Sequence, residues 1–170
     1  MLSEICRSGV AAASLLVLGC DSGAPQESGE TTADEPLELE LGAGRTEFVE
    51  LPEDAALEIV SGPQGGWHLE LTLQLRDYDR QPLVLDYQAR DMNDQPLVFP
   101  ASYAVKVEQL VELDDARFVR VGDRVVLDVA SPEQLRGLEV QVTCSASRDG
   151  QELASTQRTL RLVDEVDELR

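Results

Sequence analysis

The chain has few of the residues that most often carry catalysis or bind metals. Its 170 residues include one histidine, His68, so histidine-based triads and metal motifs with two histidines are excluded. Carboxylates are plentiful, so composition leaves open a hydrolase that works with two of them, although no pair stands out by its spacing. We therefore expect that the protein is not an enzyme and that it needs no cofactor.

Basic residues are also scarce. The chain has 14 Lys and Arg residues against 33 Asp and Glu residues, which gives a net charge of −19. A chain with this charge is repelled by nucleic acids and by anionic lipid headgroups. We therefore expect no nucleic-acid partner. The length is that of one folded domain.

Long apolar runs are absent, and the most apolar stretch lies near the N-terminus. Residues 10–18 (VAAASLLVL) are too few to span a bilayer, which takes about 20 apolar residues. Their length is typical of the hydrophobic region of a signal peptide. The run ends in VLGC at residues 17–20, and it is this tetrapeptide that suggests how the protein is processed.

The VLGC sequence resembles the lipobox of bacterial lipoproteins. The resemblance implies cleavage before Cys20 and acylation of that cysteine, so that residues 1–19 are a lipoprotein signal peptide and the lipid bilayer is a partner. A plain secretory signal with a chance cysteine is the alternative. Asp21 resembles an inner-membrane retention signal of enteric bacteria, but other lineages read this position differently. The choice between the inner and the outer membrane stays open.

Residues 20–36 have the composition of a linker. They are rich in Gly, Ser, Thr, Pro and acidic residues and contain no aromatic residue. Such a segment cannot bury enough apolar surface to offset the entropy of ordering it. We predict a disordered acidic tether that holds the folded part away from the membrane.

Residues 37–170 show a two-residue hydrophobic period that predicts β-strands. The clearest case is Trp67–Arg76, where a tryptophan and four leucines alternate with polar residues. Further strands are predicted at residues 37–41, 46–51, 55–60, 83–90, 103–110, 117–121, 125–129, 138–146 and 156–163, and one helical turn is predicted near 131–136. We predict an all-β domain, an antiparallel two-sheet sandwich of the immunoglobulin-like kind.

The glycine-rich sequence SGPQGGWH at residues 61–68 is predicted to be a turn. A phosphate-binding loop needs a lysine and a Ser or Thr after its last glycine and a helix beyond them, whereas a strand follows here. One of the glycines, Gly65 or Gly66, is expected to take a positive φ. Turns are also predicted at residues 52–54, 114–115, 122–123 and 149–150.

SGPQGGWH and the later VGDRVVLDV resemble a group of uncharacterised bacterial lipoproteins with an immunoglobulin-like sandwich domain. The resemblance implies a fold and a location in the cell envelope, and it implies no activity.

Strand alternation also predicts where the potentially reactive side chains lie. Trp67 shares the apolar face of its strand, and His68 is expected on the opposite, solvated face, so that it is wetter than Trp67. Cys144 shares an apolar face with Val140 and Val142, which favours a buried thiol rather than a nucleophile.

Two similar decapeptides, RDYDRQPLVL at 76–85 and RDMNDQPLVF at 90–99, carry the weak metal-site candidates. Part of the second, DMNDQP, resembles the calcium linker of cadherins. The oxygen-bearing candidates are Asp77, Asp79, Asp91, Asn93 and Asp94. The strand predicted between the two groups should keep them about 26 Å apart, so we predict no shared high-affinity calcium site.

These features predict a membrane-anchored lipoprotein of the cell envelope with a non-catalytic β-sandwich that binds an envelope protein or has a structural role. The alternatives are a calcium-dependent adhesion-like module and, third, a small hydrolase.

Overall fold

The part of the chain that the computed structural model describes, residues 36–62, 65–114 and 116–164, is built from β-strands. The strands are β1 (Glu38–Ala43), β2 (Val49–Glu50), β3 (Ala56–Ser61), β4 (Trp67–Arg76), β5 (Leu83–Asp91), β6 (Ala101–Val105), β7 (Val111–Asp114), β8 (Arg117–Val126), β9 (Glu139–Arg148) and β10 (Gln151–Asp164). Two short 3₁₀ turns, Val107–Gln109 and Pro132–Gln134, interrupt them. The predicted all-β class and the helical turn near 131–136 are confirmed.

The predicted signal peptide, Cys20 and nearly all of the predicted tether lie outside the described residues. No helix in the described residues has the length and apolar character that a bilayer crossing requires.

The strands form two antiparallel groups that β3 joins. The first group has the order β2-β1-β4-β8-β7, and the second has the order β10-β9-β5-β6. β3 pairs antiparallel with β4 through residues 59–61 and parallel with β10 through residues 56–59. The ladder is therefore continuous and mixed, and the expectation of purely antiparallel pairing is wrong at β3 and β10. The reason is that β1 occupies the same edge of β4 from Leu71 onward, so the first half of β3 must pair elsewhere.

Strand β4 has the predicted bounds and supplies the centre of the core. Its leucines, Leu69, Leu71, Leu73 and Leu75, have no solvent exposure, and they share one core cluster with apolar residues of β9 and β10. Burying four leucines contributes about 6–12 kcal/mol before the cost in entropy. The two-residue period therefore identified the leucine face correctly, but the opposite face is not solvated as predicted, since His68, Thr72 and Gln74 are buried as well.

Three predicted strands are shorter than their sequence pattern, and of the one predicted at 125–129 only residues 125–126 belong to a strand, at the end of β8. The one predicted at 46–51 is reduced to β2, two residues long, and the one predicted at 103–110 is replaced by β6 and the turn Val107–Gln109. The backbone N–H of Lys106 donates to the side-chain oxygen of Gln109 at 2.9 Å, which closes this turn locally. The strand predicted at residues 37–41 is present as β1; residues 38–41 of it pair with β4 alone among the described strands, and β2 pairs only with Gly42 and Ala43.

The turn predicted at residues 122–123 is wrong, because β8 runs through it as a single strand with a β-bulge. Leu73 pairs with Arg120 and Leu71 pairs with Asp123, so two residues of β8 oppose one residue of β4. Gly122 takes a φ of 75° in this bulge, which a residue with a Cβ adopts only with strain. The extra residue places Arg120 and Asp123, three positions apart, on the same inner face.

The turns predicted at residues 52–54 and 149–150 and the turn after β3 are present, whereas residue 115 of the turn predicted at 114–115 lies outside the described residues. Gly65 has a φ of 83°, and the Gly62 N–H donates to the Gly66 carbonyl at 2.7 Å, which links β3 to β4. Asp149 and Gly150 both have positive φ and join β9 to β10.

Candidate functional site

The five weak calcium candidates lie in two turns at opposite ends of β5. Asp77 and Asp79 precede that strand, Asp91 is its last residue, and Asn93 and Asp94 follow it. A strand of this length separates the two turns by about 26 Å. The structure therefore does not bring the two groups together.

Two carboxylates of these turns, Asp79 and Asp91, already have partners within the protein. Arg148 donates two hydrogen bonds of 2.7 Å to Asp79, and this interaction lowers the pKa of the Asp79 carboxyl. Asp91 accepts hydrogen bonds of 2.8 Å from the backbone N–H groups of Asn93 and Gln95, and the bond from Gln95 contributes most to lowering its pKa. Both carboxylates therefore stabilise turns, as Asp does in Asx turns. Within the described residues, no three Asp, Glu, His or Cys side chains form a group that could hold a metal ion.

A polar network lies inside the core and connects the two strand groups. Asp123 of β8 is 2% exposed, and its two carboxylate oxygens share one bifurcated hydrogen bond from the Nε–H of Arg120, at 2.7 and 2.8 Å. It accepts another hydrogen bond, of 2.8 Å, from the hydroxyl of Tyr87 on β5. Arg120 also lies over the ring of Tyr103, 5.5 Å from its centroid. This satisfied network bridges strands that share no ladder, so its role is structural.

Cys144 lies beside this network and is buried, as predicted. Its side chain has no solvent exposure, and burial raises the pKa of its thiol to about 12. Burial also raises the pKa of Tyr87 well above its usual value. A thiol in this environment is a poor nucleophile at neutral pH.

The expectation that His68 is solvated and wetter than Trp67 is wrong. His68 is 6% exposed, whereas Trp67 is only partly buried. The face of β4 that His68 occupies is covered by the loop that precedes the strand, since a Cβ on Gly62 would lie 3.6 Å from the His68 ring. The other side of the ring faces Glu70, whose carboxylate lies 3.5 Å from Nε2. Alternation along a strand separates the two faces but does not say what covers each one.

Glu70 is the centre of a charged cluster next to His68. Its carboxylate accepts a hydrogen bond of 2.5 Å from Arg45 Nε, and the Nε of Arg124 lies 3.9 Å away. Glu70 sits where the edge of β4 changes partner from β1 to β3, and this fork opens a cleft of about 320 Å³. Glu58 and Asp164 also line the cleft, which makes it acidic, and Asp164 is held by Arg136 at 2.7 Å.

An apolar pair is exposed on the same face as His68. Val98 bridges to Leu127, and the N–H of Phe99 donates to the carbonyl of Val126 at 3.0 Å, so Phe99 lies directly opposite Val126. Val126 in turn pairs with His68, and directly opposite residues share one face. Phe99 is 51% exposed and Val126 is 45% exposed. Two large apolar side chains therefore lie side by side on the strand next to a buried histidine.

The sequence did not reveal this pair. Phe99 precedes a proline and lies outside every predicted strand, and Val126 belongs to a stretch whose alternation does not indicate which strand lies beside it. The positions of Phe99 and Val126 depend on the bridge between Val98 and Leu127, which joins two segments that are distant in sequence. The repeat of the motif QPLV was the one available signal, because its second copy leads directly into Phe99.

Comparisons with known proteins return structural similarity of low score. No family model and no curated protein matches the chain. Among solved structures, a glycosyl hydrolase family 2 member from Bacteroides cellulosilyticus is similar with a TM-score of 0.46 and 12% identity, over 74% of this chain and 15% of that one. The CooA pilin subunit from enterotoxigenic Escherichia coli has a TM-score of 0.34 and 11% identity, over 78% of this chain and 99% of that one.

Proposed function

We propose that this chain is a lipid-anchored protein of the bacterial cell envelope and that its β-domain is a non-catalytic binding or structural module. The observation that carries the proposal is the VLGC sequence, which ends a short apolar run and is followed by an acidic linker and one domain. Acylation of Cys20 would supply the membrane attachment.

The surroundings of the potentially reactive side chains in the domain support the non-catalytic part of the proposal. His68 is buried against Glu70, Cys144 has a strongly raised pKa, and Asp123 is held by Arg120 and Tyr87. Each of these groups is engaged in packing or in a satisfied network. Surface loops and edges are then the regions where the domain can contact other molecules.

We also propose that the domain is an immunoglobulin-like sandwich, with the two antiparallel groups as its facing sheets and β3 as the strand that passes from one sheet to the other. The Tyr87–Asp123 hydrogen bond supports this arrangement, because it joins inward-facing side chains of β5 and β8, which belong to different groups. Sandwich cores are formed by inner faces that meet in this way.

Replacement of Cys20 tests the anchor. In bacteria fed an alkyne-bearing fatty acid, the Cys20→Ala chain should stay uncleaved and unlabelled, because the acylated thiol is missing. Cys6→Ala is the matched control, since it removes a cysteine from the same leader and should be labelled and cleaved normally. Fatty-acid labelling of the Cys20→Ala chain would show that the anchor is elsewhere.

A further inference from the structure

We infer that a pocket beside β5 binds a neutral oligosaccharide. The inference rests on the binding role proposed above and not on the lipid anchor. The pocket has a volume of about 400 Å³, and one carboxylate, one guanidinium, one amide and one hydroxyl line it together with two prolines. Ligand sites are typically pockets of this size in which a few polar groups converge between apolar walls.

The pocket is formed by a detour of the chain between β5 and β6. Leu97 and Ala101 both pair with the edge of β5. Between them Val98 bridges instead to Leu127, beyond the end of β8. The backbone therefore leaves β5 after Leu97 and returns to it at Ala101, which opens a space beside Gln88. Because backbone pairing holds both ends and the middle of the detour, the pocket is formed before any ligand binds.

Two charged side chains of β5 line the pocket, and both can make further hydrogen bonds. No hydrogen bond or ion pair engages the carboxylate of Asp86 within the described residues. Nη1 of Arg90 donates to the carbonyl and the carboxylate of Asp94, at 3.1 and 3.2 Å, which holds the guanidinium in place and leaves its Nε–H and Nη2–H groups for a ligand. Four residues of extended strand separate Asp86 from Arg90 by about 13 Å. A single amino acid or a single sugar is too short to reach both, whereas a chain of several sugars reaches them.

The outer face of β5, β9 and β10 continues the pocket with uncharged polar side chains. Directly opposite residues share a face, so two rows of side chains cross the three strands from the pocket. The rows are Asp86, Ser145 and Ser155, and Gln88, Thr143 and Gln157. Apart from Asp86, these side chains are hydroxyls and amides, which both donate and accept hydrogen bonds. A neutral polymer rich in hydroxyl groups matches such a face.

Charge and backbone pairing disfavour other polymers. Nucleic acids and acidic polysaccharides are repelled by the net charge of −19. An extended peptide binds a sheet edge through main-chain hydrogen bonds, but Pro96 and Pro100, which border the pocket, have no N–H to offer. Sugar hydroxyls, in contrast, pair with the carboxylate, the guanidinium and the amide, while the C–H groups of the sugar rings pack on Val98 and the prolines.

Saturation-transfer NMR on the full chain, in a detergent without a sugar headgroup, tests the inference. The neutral probes are maltohexaose, cellohexaose, mannohexaose and xylohexaose, and the comparators are the acidic hexagalacturonate and the peptide hexaglycine. We expect transfer to at least one neutral probe and to neither comparator. Because the bound sugar carries no charge, its Kd should change less than about twofold between about 0.05 and about 0.5 M salt.

Two matched variants locate the site. Asp86→Ala should raise the Kd of the bound probe at least about tenfold, since hydrogen bonds to charged groups are among the strongest. Glu139→Ala is the control and should leave the Kd unchanged. It removes an exposed carboxylate from the same face of β9, six residues and about 20 Å from Ser145. An unchanged midpoint of urea unfolding would verify that both variants are folded.

Several outcomes would overturn the inference. They are no transfer to any of the neutral probes, transfer to hexagalacturonate or hexaglycine, and equal losses of affinity in Asp86→Ala and Glu139→Ala. The proposed function fails in different ways. Recovery of a shortened probe would refute the non-catalytic role and not the pocket, whereas a chain that is acylated at Cys20 but gives no transfer refutes only the pocket.

Discussion

The ion pair between Arg120 and Asp123 is the interaction whose loss we expect to destabilise the domain most. The Arg120→Met chain keeps most of the side-chain volume but leaves the buried carboxylate with the single hydrogen bond from Tyr87. Removing one partner of a buried pair costs about 3–5 kcal/mol. Because the Arg120 side chain is 14% exposed, water can replace part of its contribution, so we expect a loss near the lower limit, about 3 kcal/mol.

Urea unfolding followed by the fluorescence of Trp67, the one tryptophan, measures this loss. With a slope of about 2 kcal/mol per M, the midpoint should fall by about 1.5 M. The control is Arg117→Met, at a position on the same strand as Arg120. It removes an exposed ion pair with Asp114 of β7 and should change the midpoint little.

A double substitution separates the buried charge from lost packing. Arg120→Met combined with Asp123→Asn should be more stable than Arg120→Met alone, because asparagine still accepts the Tyr87 hydrogen bond without burying a charge. The reasoning is refuted if Arg120→Met lowers the midpoint no more than Arg117→Met does, or if the double variant is less stable than the single one.

Three further predictions address the packing and the turns. Gly42→Ala should lower the free energy of unfolding by about 1–3 kcal/mol in the same urea assay, because a Cβ there would lie 2.7 Å from a backbone carbonyl oxygen. Gly66→Ala is the control and should be neutral, since a Cβ at Gly66 would have no atom within 4 Å. In a chain without its other cysteines, Cys144 should react slowly with a polar thiol reagent at pH 8, because burial raises the pKa of its thiol to about 12. We expect a rate about a thousandfold below that of a cysteine placed at the exposed Ser102 position. Similar native rates would contradict that burial. Asp91→Ala should lower the melting temperature equally in calcium and in chelator, because the carboxylate accepts two backbone hydrogen bonds, and a loss seen only with calcium would instead indicate a metal site.

Local features of the fold and of the candidate site could be predicted from sequence. The alternation in β4 predicted its bounds and its buried leucines, and the clustering of Asp with Gly or Pro predicted most of the turns. Burial of Cys144 followed from the same alternation in β9. These features depend on residues a few positions apart, whose directions along an extended chain are set by backbone geometry.

Features that depend on distant segments could not be predicted in this way. Gly122-Asp123 has the composition of a turn, and only pairing with β4 makes it a bulge that turns Arg120 and Asp123 to the same side. His68 is buried because the loop at Gly62 covers its face, and Phe99 stands beside Val126 because a proline-flanked segment crosses to the end of β8.

The sequence by itself determined the all-β class, the acidic character, the strand that forms the centre of the core and the lipobox-like segment. Strand periodicity and charge are properties of the chain that any fold must accommodate. The tertiary structure alone decided the parallel pairing of β3 with β10, the buried Arg120–Asp123–Tyr87 network and the exposed pair of Phe99 and Val126. Each of these features depends on which segments of the chain pack against each other. That arrangement minimises the free energy of the whole domain, and it is not determined by any one strand.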